Sequence, residues 1–191
     1  MTRNVVKRRI GFVLAALLCC PMLAAAEPDR VEMSPYTVSF DLGMPKSAYY
    51  LEISDPVKSE TLSGYPTTEY EFGISDKQSD SYAALITIYT DPRSLNKTDP
   101  SDTIRGILES KANELGGKHI HSDIRTIDGH NGGIIDYVLD DRELYEAVYV
   151  LSTDPYTVVD IMSLYPWDEG TLSLLKTIHV EGPGYYPFCT N

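Results

Sequence analysis

Four runs between residues 119 and 167 decide the fold: HIHSDIRTIDG (119–129), GGIIDYVLDD (132–141), ELYEAVYVLS (143–152) and DPYTVVDIMSLYPW (154–167). Each alternates or clusters apolar residues over a strand-like length, and each is closed by turn-forming residues. Asp128-Gly129 is the sharpest local signal. Both residue types tolerate the positive φ that a tight hairpin needs. Asn131, Gly132 and Gly133 follow, so the spacing also allows a longer loop or a bulge at Gly132. On the incoming strand Ile120 and Ile124 share one face, and His119, His121, Asp123 and Arg125 share the other. The second run is more apolar, with Asp136 as its charged interruption. In the third, Leu144, Glu146, Val148 and Val150 alternate with Tyr145, Ala147, Tyr149 and Leu151. Asp154-Pro155 then turns into Val158, Val159, Ile161 and Met162. Connections this short predict antiparallel pairing.

Working outward, Asp99 caps a helix that starts at Pro100, with Asp102 favourably placed near its positive end. Ile104, Ile107, Leu108, Ala112 and Leu115 recur at helical spacing, and Gly116-Gly117 supplies the stop. A shorter helix is predicted over 166–178, interrupted by Gly170. Upstream, Tyr36–Leu42, Ala48–Ile53, Tyr65–Ile74 and Tyr82–Tyr89 read as strands, Glu27–Ser34 as a polar lead-in and Pro56–Gly64 as irregular. The expected class is α+β: an antiparallel sheet of about six to seven strands, one main helix and a shorter C-terminal helix, in an α/β/α sandwich-like arrangement. A single domain over 35–181 precedes a tail over 182–191.

The first 26 residues have the form of a secretory signal. Arg3, Lys7, Arg8 and Arg9 precede the apolar run Ile10–Leu18, and Ala24-Ala25-Ala26 supplies small residues for cleavage after Ala26. The apolar run is short for a membrane span and Pro21 interrupts it, so a secreted or extracytoplasmic protein with no stable membrane insertion is expected. Four of the 16 basic residues and none of the 28 acidic ones lie in this leader, so its removal takes the net charge from −12 to −16. Such acidity argues against nucleic acid as a partner, because phosphate binding needs clustered Lys and Arg. Only Cys189 remains after cleavage; it cannot close an internal disulfide, which leaves a bridge to another molecule or an idle thiol. Asn96-Lys97-Thr98 is a glycosylation sequon.

The order of elements resembles the PsbP-like, or Mog-type, α/β/α sandwich. TVSFDL (37–42) and YYLEIS (49–54) resemble its opening strand pair, DTIRGILESKANELGG (102–117) its mid-chain helix, RTIDGHNGG (125–133) its "DG" turn, and TLSLLKTIHV (171–180) its closing helix and strand. This resemblance implies a secreted or lumenal domain. Family members serve as extrinsic assembly subunits or bind protein partners, and catalysis is not their rule. No functional residue is carried over from it.

Chemistry-bearing groups are few. No G-x-S-x-G, H-E-x-x-H, P-loop or C-x-x-C occurs. His119, His121 and Asp123 at spacing two suggest a divalent metal site, with His130 as a fourth ligand across the hairpin; a solvated edge-strand face is the alternative. Tyr145 and Tyr149 on one strand face, with Tyr165 and Trp167 ahead of the last helix, suggest a surface on which a sugar or protein partner stacks. The sequence thus predicts an exported, non-catalytic binding or accessory domain working through a sheet face or aromatic groove. A metal-binding protein or metal-dependent enzyme and a cell-surface structural component are its alternatives.

Overall fold

The computed structural model describes residues 27–61, 64–79, 81–93, 99–114, 119–139 and 141–183. Residues 1–26, Asn96, Gly116-Gly117 and Cys189 lie outside them. Eleven strands and two helices follow in order: β1 (Asp29–Met33), β2 (Tyr36–Phe40), β3 (Tyr49–Ile53), β4 (Val57–Glu60), β5 (Pro66–Asp76), β6 (Ser81–Asp91), α1 (Pro100–Glu114), β7 (His119–Ile127), β8 (His130–Leu139), β9 (Arg142–Thr153), β10 (Tyr156–Ser163), α2 (Leu172–Thr177) and β11 (His179–Glu181). The α+β class holds. An eight-stranded sheet runs β3-β5-β6-β10-β9-β8-β7, with β4 paired to β5, and a separate three-stranded sheet runs β1-β2-β11. The four runs quoted above become β7 to β10, all antiparallel to their sequence neighbours.

The Asp128-Gly129 turn has two residues, and both have positive φ (51° and 74°). His130 already belongs to β8, and the β7–β8 register is continuous through Gly132, so no bulge forms there. Gly132 serves close packing instead: a Cβ on it would come within 2.8 Å of the Tyr149 Cβ.

Two faces of the large sheet are covered differently. On one, the three-stranded sheet and α2 bury Phe40, Phe72, Ile74, Ile86, Ile134, Tyr149, Ile161 and their neighbours. Phe40 stacks on Phe72 with ring centroids 5.7 Å apart, which docks the small sheet onto the large one. On the other face α1 lays Ile104 and Leu108, one turn apart, onto Ile135, Tyr137, Val148 and Val150. Gly133 lets it approach, since a Cβ there would lie 2.6 Å from Leu108 Cδ1. The Asp99 carboxylate accepts the Ser101 amide at 2.8 Å, as the capping signal predicts.

Three expectations are corrected. Residues 27–34 are no polar lead-in, because Val31 and Met33 alternate into the core as β1, so the fold begins ahead of residue 35. Part of the segment expected to be irregular, Val57–Glu60, pairs with β5 as an exposed edge strand. The last helix is shorter than 166–178. Glu169 and Gly170 take non-helical angles, Gly170 with φ 134°, so Trp167–Thr171 forms a wide turn and α2 starts only at Leu172.

Beneath α1 lies a polar cluster on an otherwise apolar face. Lys111 Nζ is 3.0 Å from Glu146 Oε1, and the Tyr137 hydroxyl donates to Glu146 Oε2 at 3.1 Å. Burial, assisted by the Glu146 charge and opposed by Lys111, raises Asp160 to about 7. A carboxyl raised in the fold favours folding below its unfolded value, and that advantage disappears as pH climbs through the folded one. Equilibrium unfolding from pH 5 to 8 will therefore show Asp160→Asn gaining on the parent protein as pH rises; equal pH slopes for the two would refute this. Phe40→Ala should cost about 3–5 kcal/mol in urea unfolding, the range for emptying an aromatic core position.

Candidate functional site

The register places His121, Asp136 and Tyr145 in one row across β7, β8 and β9. Next to that row the wide turn after β10 sets down Trp167. This turn is pinned from inside. The buried Thr171 hydroxyl donates to the Tyr165 carbonyl at 2.7 Å, which makes Ser163 the donor in its 2.7 Å contact with Thr171. Trp167 thereby lies against Tyr145, with ring centroids 5.3 Å apart and planes tilted by 46°. The Arg125 guanidinium sits 5.6 Å from the centre of the indole, within cation–π range. His121, Arg125, Ile134, Asp136, Glu143, Tyr145 and Trp167 together line a groove of about 260 Å³.

Two polar atoms of residues that line this groove are buried and unpartnered: the Arg125 Nε donor and the Asp136 Oδ1 acceptor. His121 Nδ1 lies 3.9 Å from Asp136 Oδ1, beyond hydrogen-bond reach. Arg125 spends its outer nitrogen on Asp123 at 3.4 Å. Leaving such groups unpaired costs about 1–3 kcal/mol each, so they mark a place where a partner is wanted. Tyr145 is committed: burial, and a hydrogen bond to Glu143, push its phenol up to about 12. It acts as an apolar wall and not as an acid or base.

Four aromatic residues were expected at the surface, and the structure divides them. Tyr145 and Trp167 meet at the groove. Tyr149 shares the face of Tyr145, as alternation requires, but the three-stranded sheet covers it completely, at 0% exposure. Tyr165 is buried as well, at 7%. Tyr145 is itself buried, at 8%, so what sets it apart is its contact with Trp167 at the groove; Tyr149 and Tyr165 belong to the core cluster.

The metal candidates are spread apart. The register shifts between His119 and His121, which breaks the period-two spacing on which their pairing relied; the side chain of His119 lies outside the described residues. His121 is largely exposed and Asp123 is engaged with Arg125. His130 sits at the turn opposite Ile127, six residues along the strand from His121 and thus roughly 20 Å away. There it stacks on Tyr149 at 5.7 Å, and burial lowers its pKa. Among the described residues no three His, Cys, Asp or Glu side chains are grouped to hold a metal ion.

Sequence reasoning missed a second arrangement at the same hairpin. The buried Asp128 carboxylate receives His179 Nδ1 at 2.7 Å, the Val180 amide at 2.9 Å and the Tyr149 hydroxyl at 3.2 Å. Asp-Gly announces a turn, but nothing in the sequence announces partners 51 and 52 residues away. For the groove there was one usable sign, the lone charge of Asp136 within an apolar strand. No known protein family, curated protein or solved structure matches this chain.

Replacing Asp128 with Ala leaves the Val180 and Tyr149 donors without an acceptor and should cost about 3 kcal/mol of folding free energy. Hydrogen exchange at the Val180 amide should accelerate with it. A stability within 0.5 kcal/mol of the parent, about the spread for ordinary surface substitutions, would show the carboxylate to be dispensable.

Proposed function

We propose that this chain is an exported, non-catalytic binding domain whose groove beside Trp167 takes a sugar ring or a similarly hydroxyl-rich ligand. The observation that carries the reading is the unpaired donor of Arg125 and unpaired acceptor of Asp136, set beside an aromatic pair. A hydroxyl both donates and accepts, so a polyol can satisfy both groups, whereas an anion suits only Arg125 and a cation only Asp136. The apolar C–H face of a sugar ring has the indole and the Tyr145 ring to lie against. The groove's own charges are mixed, Arg125 against Asp136 and Glu143, which favours a neutral ligand over a highly charged one.

Export belongs to the same proposal and rests on the leader ending at Ala26. So does kinship with the PsbP-like sandwich; it is supported by the order of strand pair, helix, "DG" hairpin, meander, short helix and last strand, and by nothing closer.

The chain has one tryptophan, and it is in the groove. Intrinsic fluorescence therefore reports on this site. Titration of the full mature protein with neutral mono- and oligosaccharides should give a saturable change in Trp167 emission for at least one of them. Asp136→Ala should weaken that binding about tenfold or more, since it removes a hydrogen bond to a charged group. A flat response across the sugar panel, or undiminished binding by the variant, would defeat the reading.

A further inference from the structure

The strand β7 ends the order of the large sheet, so no described strand pairs with its outer side. Its backbone geometry follows from the hairpin. Ile127 and His130 flank a two-residue turn, the position of a hydrogen-bonded pair. Counting back by twos, Arg125, Asp123 and His121 also turn their N–H and C=O groups toward β8. The Asp123 carbonyl oxygen confirms this, lying 3.0 Å from where a Cβ on Gly133 of β8 would stand. The N–H and C=O groups of Thr126, Ile124 and Ser122 therefore face outward. From this edge we propose that β7 pairs with β7 of a second copy of this chain, antiparallel and centred on Ile124, joining two large sheets into one.

Charge selects the partner and the register. A two-fold axis at Ile124 sets Asp123 opposite Arg125 of the second copy, and Arg125 opposite its Asp123. Ser122 then faces Thr126, and the outward groups of all three residues meet their complements. Moving the axis by one residue keeps the backbone match but opposes Asp123 to Asp123 or Arg125 to Arg125, which destabilises a strand pair. Ile124 is also the midpoint of His121–Ile127, the run over which the β7 register is regular. The edge carries no Lys and no Pro, the residues that ordinarily guard one. Its Asp and Arg cancel, although the chain as a whole has a formal charge of −12.

Apolar surface supplies the second argument. Ile124 is 43% exposed, and it lines a cavity of about 360 Å³ with Ser122 of β7 and Leu108 and Ala112 of α1. The helix rests on Ile135 and Tyr137 of β8 and on Val148 and Val150 of β9, which leaves this side of β7 uncovered. Residues directly opposite in a strand pair share a face, so Ile124 of each copy would cover the other between the two α1 helices. Arg105 and Glu109 line the same cavity, are exposed and have opposite charges, so the two helices can pair them crosswise.

The other edges lack this combination. The far end of the large sheet is divided between β3 and β4, five and four residues long. In the small sheet the apolar row of β1, Val31 and Met33, is already buried, so pairing there would hide little.

Sedimentation equilibrium of the full mature protein, over a concentration series into the millimolar range, tests the proposal. The mass should rise from one chain and level off at two. Ile124→Lys sets two ammonium groups opposite each other at an exposed position and should raise the dissociation constant about tenfold or more. Thr126→Pro removes an outward amide without touching the β7–β8 ladder and should weaken the dimer similarly. Asp123→Arg and Arg125→Asp each oppose like charges and should each stay monomeric, whereas a one-to-one mixture of the two restores opposite charges and should dimerise. A monomer throughout the series, a dimer indifferent to Ile124→Lys and Thr126→Pro, or a mixture that stays monomeric would each overturn the proposal. So would a monomer whose β7 takes up an extended peptide instead. The readout is mass, and the sugar groove is tested separately through Trp167 emission.

Discussion

Directed hydrogen bonds tie the two sheets together, among them Tyr36 to Thr90 at 2.7 Å and two from β11 to the Asp128 carboxylate. Asp128 sits at a positive φ in the β7–β8 hairpin and points its side chain away from the turn it forms, toward the three-stranded sheet. There it accepts from His179, Val180 and Tyr149, so one side chain fixes the last strand, the hairpin and the centre of the large sheet relative to one another. The charge is buried, and its desolvation is offset by the three hydrogen bonds it accepts. Phe40 on Phe72 supplies the apolar counterpart a short distance away, giving area without direction.

That division explains the two cavities. Where the small sheet and α2 cover the large sheet, aromatic residues such as Tyr149 vanish into the core. Cover stops at the β7 edge, and there the same alternating face becomes a groove floored by Tyr145 and walled by Trp167. The wide turn serves both sides at once: Trp167 lines the groove, while Pro166, Asp168, Glu169 and Gly170 line a separate cavity against the β2–β3 connection. Thr171 and Gly170 make this possible: one anchors the turn through its hydroxyl, the other folds back against Tyr165.

Much of the architecture was legible in the chain itself. Period-two alternation and Asp-Gly located the meander, and the Asp99-Pro100 cap located α1 to the residue. What failed had local causes. Only two core-facing residues, Val31 and Met33, mark β1, and a polar sequence around them hides a strand that forms because β2 is waiting for it. Gly170 was visible as a weakness in the final helix, yet a single glycine does not reveal whether a helix bends or ends. The site was half legible. Tyr145 and Trp167 could be nominated from composition, but Tyr149 and Tyr165 could not be told from them, since the extent of cover is set by a sheet built from both ends of the chain. The histidine pattern misled because strand spacing implies a shared face only while the register is unbroken, and β7 breaks it between His119 and His121.

The three-stranded sheet has β2 at its centre, flanked by β1 from the start of the fold and by β11 from its end. Val38 of β2 faces Val180 of β11, a separation of more than a hundred residues. On a ribosome, which releases a chain from its amino end, β1 and β2 therefore emerge as an orphan ribbon with one hydrogen-bonding edge and one greasy face unclaimed. The meander from β7 to β10 can zip up locally, but this ribbon cannot be capped until residue 181 is free. Long-range closure of this kind is slow, and it leaves the ribbon uncapped until β11 has emerged.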